Sequence, residues 1–223
     1  IKTLEFANQF PKEVKYPEDA DDSYWQNYQT MYREGRALLM MYTFSTFDDY
    51  NNCEKGTFGE KITPIGFPSD NKNGNTLNFN LDFAISAKSK NQKEAWNFVR
   101  YFLTDEYQDQ LEYGFPVKLS SLDAQAKKAQ EKPFYLDENG NKVKYDNTYN
   151  LNGVDVNIDP MTQEETDNVT EFIKSVTQVM NYNTNITDIV NEESTAYFER
   201  QKTAKEVADI IQSRVQIYVN ENR

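Results

Sequence analysis

Six consecutive apolar residues, Ala37-Leu38-Leu39-Met40-Met41-Tyr42, stand just beyond Gly35, and no other feature so narrows what this chain can fold into. The stretch before them, 21–33, carries Trp25, Tyr28, Met31 and Tyr32 at helical spacing, and Gly35 supplies the left-handed residue that ends such a helix. An apolar run this short fits a strand covered on both faces. A second strand is predicted over 77–87. It feeds a helix over 91–103 whose start carries Ser89 and Gln92 at capping-box spacing and whose inward stripe is Ala95, Trp96, Val99, Phe102 and Leu103. Helices and strands interleaved in this way predict a helix-rich α/β fold.

Between these segments a short strand over 62–67, ended by Pro68, and a polar loop over 70–76 are expected. Helices dominate further on: 105–113, a break at Gly114-Phe115-Pro116, then 121–131 with Leu122, Ala126 and Ala129 inward. Residues 134–145 read as a hairpin around Asn139-Gly140, because that dipeptide accepts the positive φ angles of a tight turn, and the polar stretch from there to Pro160 reads as a loop. Three helices close the chain. Thr162 and Glu165 cap the first, ahead of Val169, Phe172, Ile173, Val176 and Met180; Ile186, Ile189, Val190 and Tyr197 stripe the second. Thr203 and Glu206 cap the third, whose inward face is Ala204, Val207, Ala208, Ile211, Val215 and Tyr218.

What the chain lacks limits its chemistry. Its 223 residues contain no histidine, which removes the commonest general base and metal ligand, and with them a Ser-His-Asp triad or a histidine zinc site. The single cysteine, Cys53, cannot close an internal disulfide and is expected as a free, modestly buried thiol. Stability then rests on a core, for which 14 Phe, 15 Tyr and 2 Trp supply the area. Eight glycines are spread too thinly for a phosphate-cradling loop. A formal net charge of -12 without a Lys/Arg cluster argues against nucleic acid and anionic lipid as partners. Asp137-Glu138-Asn139-Gly140-Asn141 has its glycine too early for a calcium loop and is better explained as a turn. Asp48 and Asp49 are the nearest candidates for a glycosidase pair, but adjacent side chains diverge on most backbones. No catalytic residue, cofactor or metal is therefore expected, and no stretch approaches the roughly 20 apolar residues of a membrane-spanning helix.

Several segments taken in order carry a resemblance: Tyr32-Arg33-Glu34-Gly35-Arg36 with the apolar run, Asp82-Phe83-Ala84-Ile85-Ser86-Ala87 with the helix up to Trp96, Leu103-Thr104-Asp105-Glu106-Tyr107-Gln108, Gly114-Phe115-Pro116-Val117, and the run from Ala196 to Gln212. Together they resemble the C-terminal half of family 1 extracellular solute-binding proteins, receptors that deliver sugars to bacterial ABC importers. The match is strongest to the large lipoprotein receptors of anaerobic Gram-positive bacteria. Glu199 departs from it, since that family usually has a small residue before Gln-Lys-Thr. Receptors of this type are nearly twice as long, so the resemblance implies a fragment whose signal peptide and lipid-anchored cysteine lie upstream.

The resemblance implies a periplasmic-binding-protein-like (type II) partial fold: 1–80 and 117–223 in the C-terminal lobe, and 81–116 a crossover strand and helices of the N-terminal lobe, with hinges at 81–83 and 115–118. It implies a non-enzymatic, extracellular, surface-anchored lipoprotein that captures a solute, a mono- or oligosaccharide foremost, by lobe closure and presents it to ABC permease subunits. The alternatives are a surface glycan-binding or adhesion module and a fragment of a carbohydrate-active enzyme. For a sugar, which offers one C–H face and a rim of hydroxyls, the candidate contacts are Tyr42, Phe44 and Phe47 as platforms at a strand's carboxyl end, with Asp48 and Asp82 as acceptors. No tryptophan stands near Phe44, where maltose-binding protein has its stacking tryptophan, which weakens a maltodextrin ligand. An exposed apolar seam on such a fragment would favour dimerisation.

Overall fold

The computed structural model of the chain describes residues 1–10, 22–67, 74–79, 81–180 and 182–222. They fall into two units, one joining the chain ends, Ile1–Asp19 and Met180–Arg223, the other the continuous stretch Ala20–Val179. Helix α1 (Lys2–Ala7) belongs to the first of these.

The long unit begins with α2 (Asp22–Arg33), closed by Gly35 at φ +67°, with the amides of Arg36 and Ala37 both donating to the Met31 carbonyl. After an irregular stretch comes α3 (Phe47–Asn51). Its start is a capping box in which Thr46 Oγ1 accepts from the Asp49 amide at 3.0 Å and the Asp49 carboxylate accepts from the Thr46 amide at 3.1 Å. α3 runs straight into a π-helix, Asn52–Phe58, which ends at Gly59 with φ +72°. Arg33 reaches across from α2, and its Nη1 donates to the carbonyls of Lys55 and Gly56 at 3.0 and 2.6 Å, satisfying acceptors that a helix end leaves open.

Strand β1 (Thr76–Leu77), α4 (Gln92–Val99) with a 3₁₀ continuation over Arg100–Leu103, α5 (Asp105–Gln108) and α6 (Leu119–Ala129) follow. Two antiparallel hairpins come next, β2 (Phe134–Leu136) with β3 (Lys142–Lys144), and β4 (Asn147–Leu151) with β5 (Val154–Ile158). Helix α7 (Gln163–Ser175) then leads to β6 (Gln178–Val179), which pairs in parallel with β1. The core of this unit gathers Phe47 and Tyr50 from α3, Leu122 and Ala126 from α6, and Met161 and Val169 at and within α7. Two long-range bonds fix α6 and α3 to the chain entering α7: Met161 N–H to the Ala129 carbonyl, and Asn51 Nδ2 to the Asp159 carbonyl, both at 3.0 Å.

The other unit holds α8 (Thr184–Phe198) packed on α9 (Ala204–Glu221), with Val207 wholly buried and Ala204 and Ser194 nearly so. The Thr203–Glu206 capping box forms as expected, and Arg214 ties α9 to Glu192 and Glu193 at 2.8 and 2.5 Å.

The result is a mixed α/β structure in which helices predominate and the described strands form three two-stranded sheets. Three expected strands do not form as read. Residues 37–42 form no strand: they are irregular, and Leu38, Leu39 and Met41 are 80, 75 and 81 % exposed. Among the described residues of the strand expected over 77–87 only Leu77 is paired, and residues 81–86 are likewise irregular and mostly exposed. Residues 62–67 are also irregular; Pro68 and residues 70–73 lie outside the described residues. β-propensity marks a segment that fits a sheet, but a ladder needs a second strand: no described strand pairs with 37–42 or 81–86, and 62–67 makes one such bond at its end, Phe67 N–H to the Gly74 carbonyl at 3.2 Å.

The expected inward stripe of α4 is not buried either; Ala95, Val99 and Phe102 are half-buried while Trp96 and Leu103 are about half open, 50 and 48 %. Its start is not a capping box: Asn91 is the N-cap without a side-chain bond, and Gln92 reaches back to the Ser86 and Ala87 carbonyls. Phe83, Phe98, Phe102 and Tyr107 instead form a chain of ring contacts 4.5–6.5 Å apart on this part of the surface. The helix expected over 105–113 stops after one turn at Gln108, where the Gln108 side chain accepts from Val117 N–H and donates to the Phe102 carbonyl. The loop expected from 146 to 160 is the β4–β5 hairpin, turned by Asn152 and Gly153 at φ +56° and +76°. Among the described residues no helix is long and apolar enough to cross a membrane.

Candidate functional site

Of the residues singled out for a ligand, Tyr42 and Phe44 are brought together and Phe47 is not with them. Tyr42 is 45 % exposed; its ring lies 5.0 Å from that of Phe44, which in turn lies 4.9 Å from the buried ring of Tyr50. Phe47 is 3 % exposed, packed in the core and edge-on to Phe115 at 5.7 Å, so it offers no platform to a ligand. Tyr42 and Phe44 stand on the irregular stretch before α3, whereas Phe47 begins the helix and joins Tyr50 in the core.

Asp48 is exposed on α3; desolvation by the surrounding chain raises its carboxyl pKa, opposed by Lys128 and reinforced by Asp49. Asp49 is spent on the helix cap, accepting from the Ser45 and Thr46 amides at 2.9 and 3.1 Å. These two acids therefore do not act as a pair. Asp82 is exposed, hydrogen bonds to none of the described residues, and lies on the irregular stretch that was expected as a strand.

The inner ring of this ladder, Tyr50, lines a cavity of about 580 Å³ that the sequence reading missed. Its floor is the π-helix (Glu54, Lys55) and its walls are the 59–61 turn, β5 with the segment after it (Val156, Asn157, Asp159), and the start of α7 (Thr162, Glu164, Glu165, Asn168). A π-helix spreads its side chains out of the usual register, and such segments concentrate at functional sites. The hairpin is seated by Tyr149, whose ring packs directly on Gly56 and whose hydroxyl accepts from Thr57 Oγ1 at 3.3 Å. The missed signal was Asn152-Gly153 flanked by Tyr149, Leu151, Val154, Val156 and Ile158, a turn dipeptide between alternating apolar residues.

Lys55 organises one wall. Its Nζ donates to the carbonyls of Asp159 and Pro160 at 3.3 and 3.4 Å and pairs with Glu165 at 3.2 Å. Burial by itself raises the Glu165 carboxyl, but the Thr162 amide at 2.6 Å and the Lys55 ammonium outweigh it and hold Glu165 below the ordinary glutamate value of 4.5. A folded-state value below the unfolded one means that this stabilisation is complete above the unfolded value and lost as pH falls through the folded one. Glu165→Gln is therefore expected to lower the urea midpoint at about pH 6, by a difference that shrinks as pH falls through the lowered folded-state value.

Burial, then the Glu54 and Cys53 charges, push the Tyr50 hydroxyl up to about 12, and burial with Glu54 pushes the Cys53 thiol up to about 11. Both are neutral at physiological pH, so Cys53 is not held as a thiolate. A thiol reagent at about pH 8 is expected to label Cys53 fully in urea and only a small fraction of it in native buffer; fast native labelling would contradict its burial. Among the described residues no three Cys, Asp or Glu side chains are placed to hold a metal ion. The arrangement provides an aromatic step leading to a polar cavity of hydrogen-bonding groups, which suits binding of a polyhydroxylated molecule. No protein-family model matches the chain, and no curated protein does.

Proposed function

We propose that this chain captures an extracellular solute, a carbohydrate foremost, as the C-terminal half of a two-lobed, type II periplasmic-binding-protein-like receptor serving an ABC importer. The observation that carries the reading is the Tyr42–Phe44–Tyr50 ladder, with one ring open to solvent and the last lining a cavity edged by Asn157, Asp159, Glu164 and Asn168. Stacked rings meet the C–H face of a sugar, and the acids and amides meet its hydroxyls. The segments that resemble the receptor family support the same reading. So do the exposed apolar stretches 37–42 and 81–85, which have the composition of strands that pair within a larger two-lobed body.

Such a receptor binds and releases without breaking bonds; the ligand shifts an open-to-closed population by its differential affinity. The test is titration of the chain, and of the longer receptor that the resemblance implies, with a panel of mono- and oligosaccharides, followed by chromatography of the sugar. Saturable binding that Tyr42→Ala or Phe44→Ala weakens severalfold, with the sugar recovered intact, supports the reading. Released product would make the protein an enzyme and end it; binding of insoluble polymer alone would favour an adhesion module.

A further inference from the structure

The β2–β3 hairpin holds two aromatic rings open to solvent, away from the cavity. Its antiparallel register sets Tyr135 opposite Val143, and the Tyr145 amide carries the pairing one step further by donating to the Pro133 carbonyl at 3.0 Å. Alternation along a strand then puts Pro133, Tyr135, Val143 and Tyr145 on one face. The Tyr135 and Tyr145 rings lie 6.4 Å apart with their planes 39° from parallel; both are about half exposed, and Pro133 and Val143 beside them are half-buried. Neither phenol hydroxyl bonds to a described residue.

The opposite face has a different character. There Phe134 and Leu136 stand across from Lys144 and Lys142, and the Lys142 ammonium sits 4.2 Å from the centre of the Phe134 ring, so that ring is already covered by a cation. Apart from each other, β2 and β3 pack little on any other element, and a two-stranded ribbon is marginal in water until a layer covers one of its faces.

Charge and size together select what covers the tyrosine face. None of its residues is charged, in a chain of net charge -12, so its complement is a neutral molecule. A stable protein partner buries about 800 Å² on each side, well beyond what these four side chains offer. A saccharide of a few units has the right extent: its C–H faces lie on the two rings, and its hydroxyls meet the phenol hydroxyls. We propose that the Tyr135–Tyr145 face of this hairpin binds a neutral oligosaccharide, at a site separate from the cavity and from the Tyr42–Phe44–Tyr50 ladder. Binding here requires neither lobe closure nor an importer, so it stands apart from the function proposed above.

The experiment is an NMR titration of the isotope-labelled full chain with cellopentaose and, separately, maltopentaose, following Tyr135, Val143 and Tyr145 alongside Tyr42 and Phe44. Expected are saturable shifts at the three hairpin residues with at least one sugar, and an affinity lowered about three- to tenfold by Tyr135→Thr or Tyr145→Thr. Threonine keeps the strand propensity and removes the ring. Tyr135→Leu, read in parallel, keeps the apolar bulk without a flat face, so a hairpin melted by threonine leaves the test standing. Tyr135→Phe should retain most of the affinity, and Tyr42→Ala all of it at the hairpin.

Shifts at both places would uphold both sites, and shifts confined to the hairpin would uphold this one while ending the cavity as the carbohydrate site. Shifts confined to Tyr42 and Phe44 would overturn the hairpin site and leave the function proposed above standing. No shift at either place in a folded chain would overturn both. Hairpin affinity unchanged by the threonine and leucine variants would overturn the assignment to the rings. Hairpin shifts that follow protein concentration without sugar would overturn it too, by giving the face to a second copy of the chain.

Discussion

Phe47→Ala is expected to cost about 3–5 kcal/mol of unfolding free energy, the range for emptying a buried phenylalanine site. The ring is 3 % exposed, sits among Tyr50, Leu122, Ala126, Met161 and Val169, and meets Phe115 edge-on, so its removal leaves a cavity bordered by three different helices and the chain entering α6. Urea unfolding followed by tyrosine and tryptophan fluorescence reads the loss as a lower midpoint at similar slope. The comparison that gives it meaning is Tyr42→Ala. Tyr42 is 45 % exposed, so its truncation should shift the midpoint by only a few tenths of a kcal/mol while reducing any sugar binding. A large stability loss in Tyr42→Ala with none in Phe47→Ala would reverse the assignment of platform and core made here.

Gly56→Ala is expected to destabilise the long unit by about 1–3 kcal/mol, the usual cost of forcing an extra carbon into a packed site. Two effects oppose each other. Replacing a glycine inside a helix gains up to about 1 kcal/mol of backbone entropy and propensity. Against that, a Cβ at this position would lie 2.6 Å from Tyr149 Cγ and 3.0 Å from its Cβ, the root of the side chain rather than its mobile end. Tyr149 cannot swing aside freely, because its hydroxyl is held by Thr57 and its backbone is paired with Val156 across the hairpin. The clash wins, and the hairpin must move.

Since Val156, Asn157 and Asp159 line the cavity, that movement should alter ligand affinity as well as stability. Adding Tyr149→Ala makes room for the new methyl group, so the two changes together should cost less than their sum. Additive costs would mean that the hairpin does not rest on the π-helix.

The sequence by itself determined the local elements whose causes lie within a few residues. Gly35 ends α2 and the boxes Thr162–Glu165 and Thr203–Glu206 start α7 and α9 where the residues placed them, and the first hairpin forms where expected, though through the 137–141 loop with only Gly140 at positive φ instead of a two-residue Asn139-Gly140 turn. A cap or a tight turn needs only a side chain and amides two to four positions away, so its energetics are written locally. The inward stripes of α6 and α9 were legible for a similar reason, since periodicity alone selects the face.

The tertiary structure decided everything that needs a distant partner. Ala37 to Tyr42 has the composition of a buried strand and lies exposed, because no described strand comes beside it to complete a ladder. The aromatic residues of 42–50 all look alike in sequence, and only packing against α6 and Phe115 buries Phe47, while Tyr42 and Phe44 step from the surface in to Tyr50. The cavity is the clearest case. Arg33, Glu54, Lys55, Asp159 and Glu165 are scattered over more than a hundred positions and became one site when the β4–β5 hairpin seated Tyr149 on Gly56, a contact that depends on the absence of a side chain rather than the presence of one.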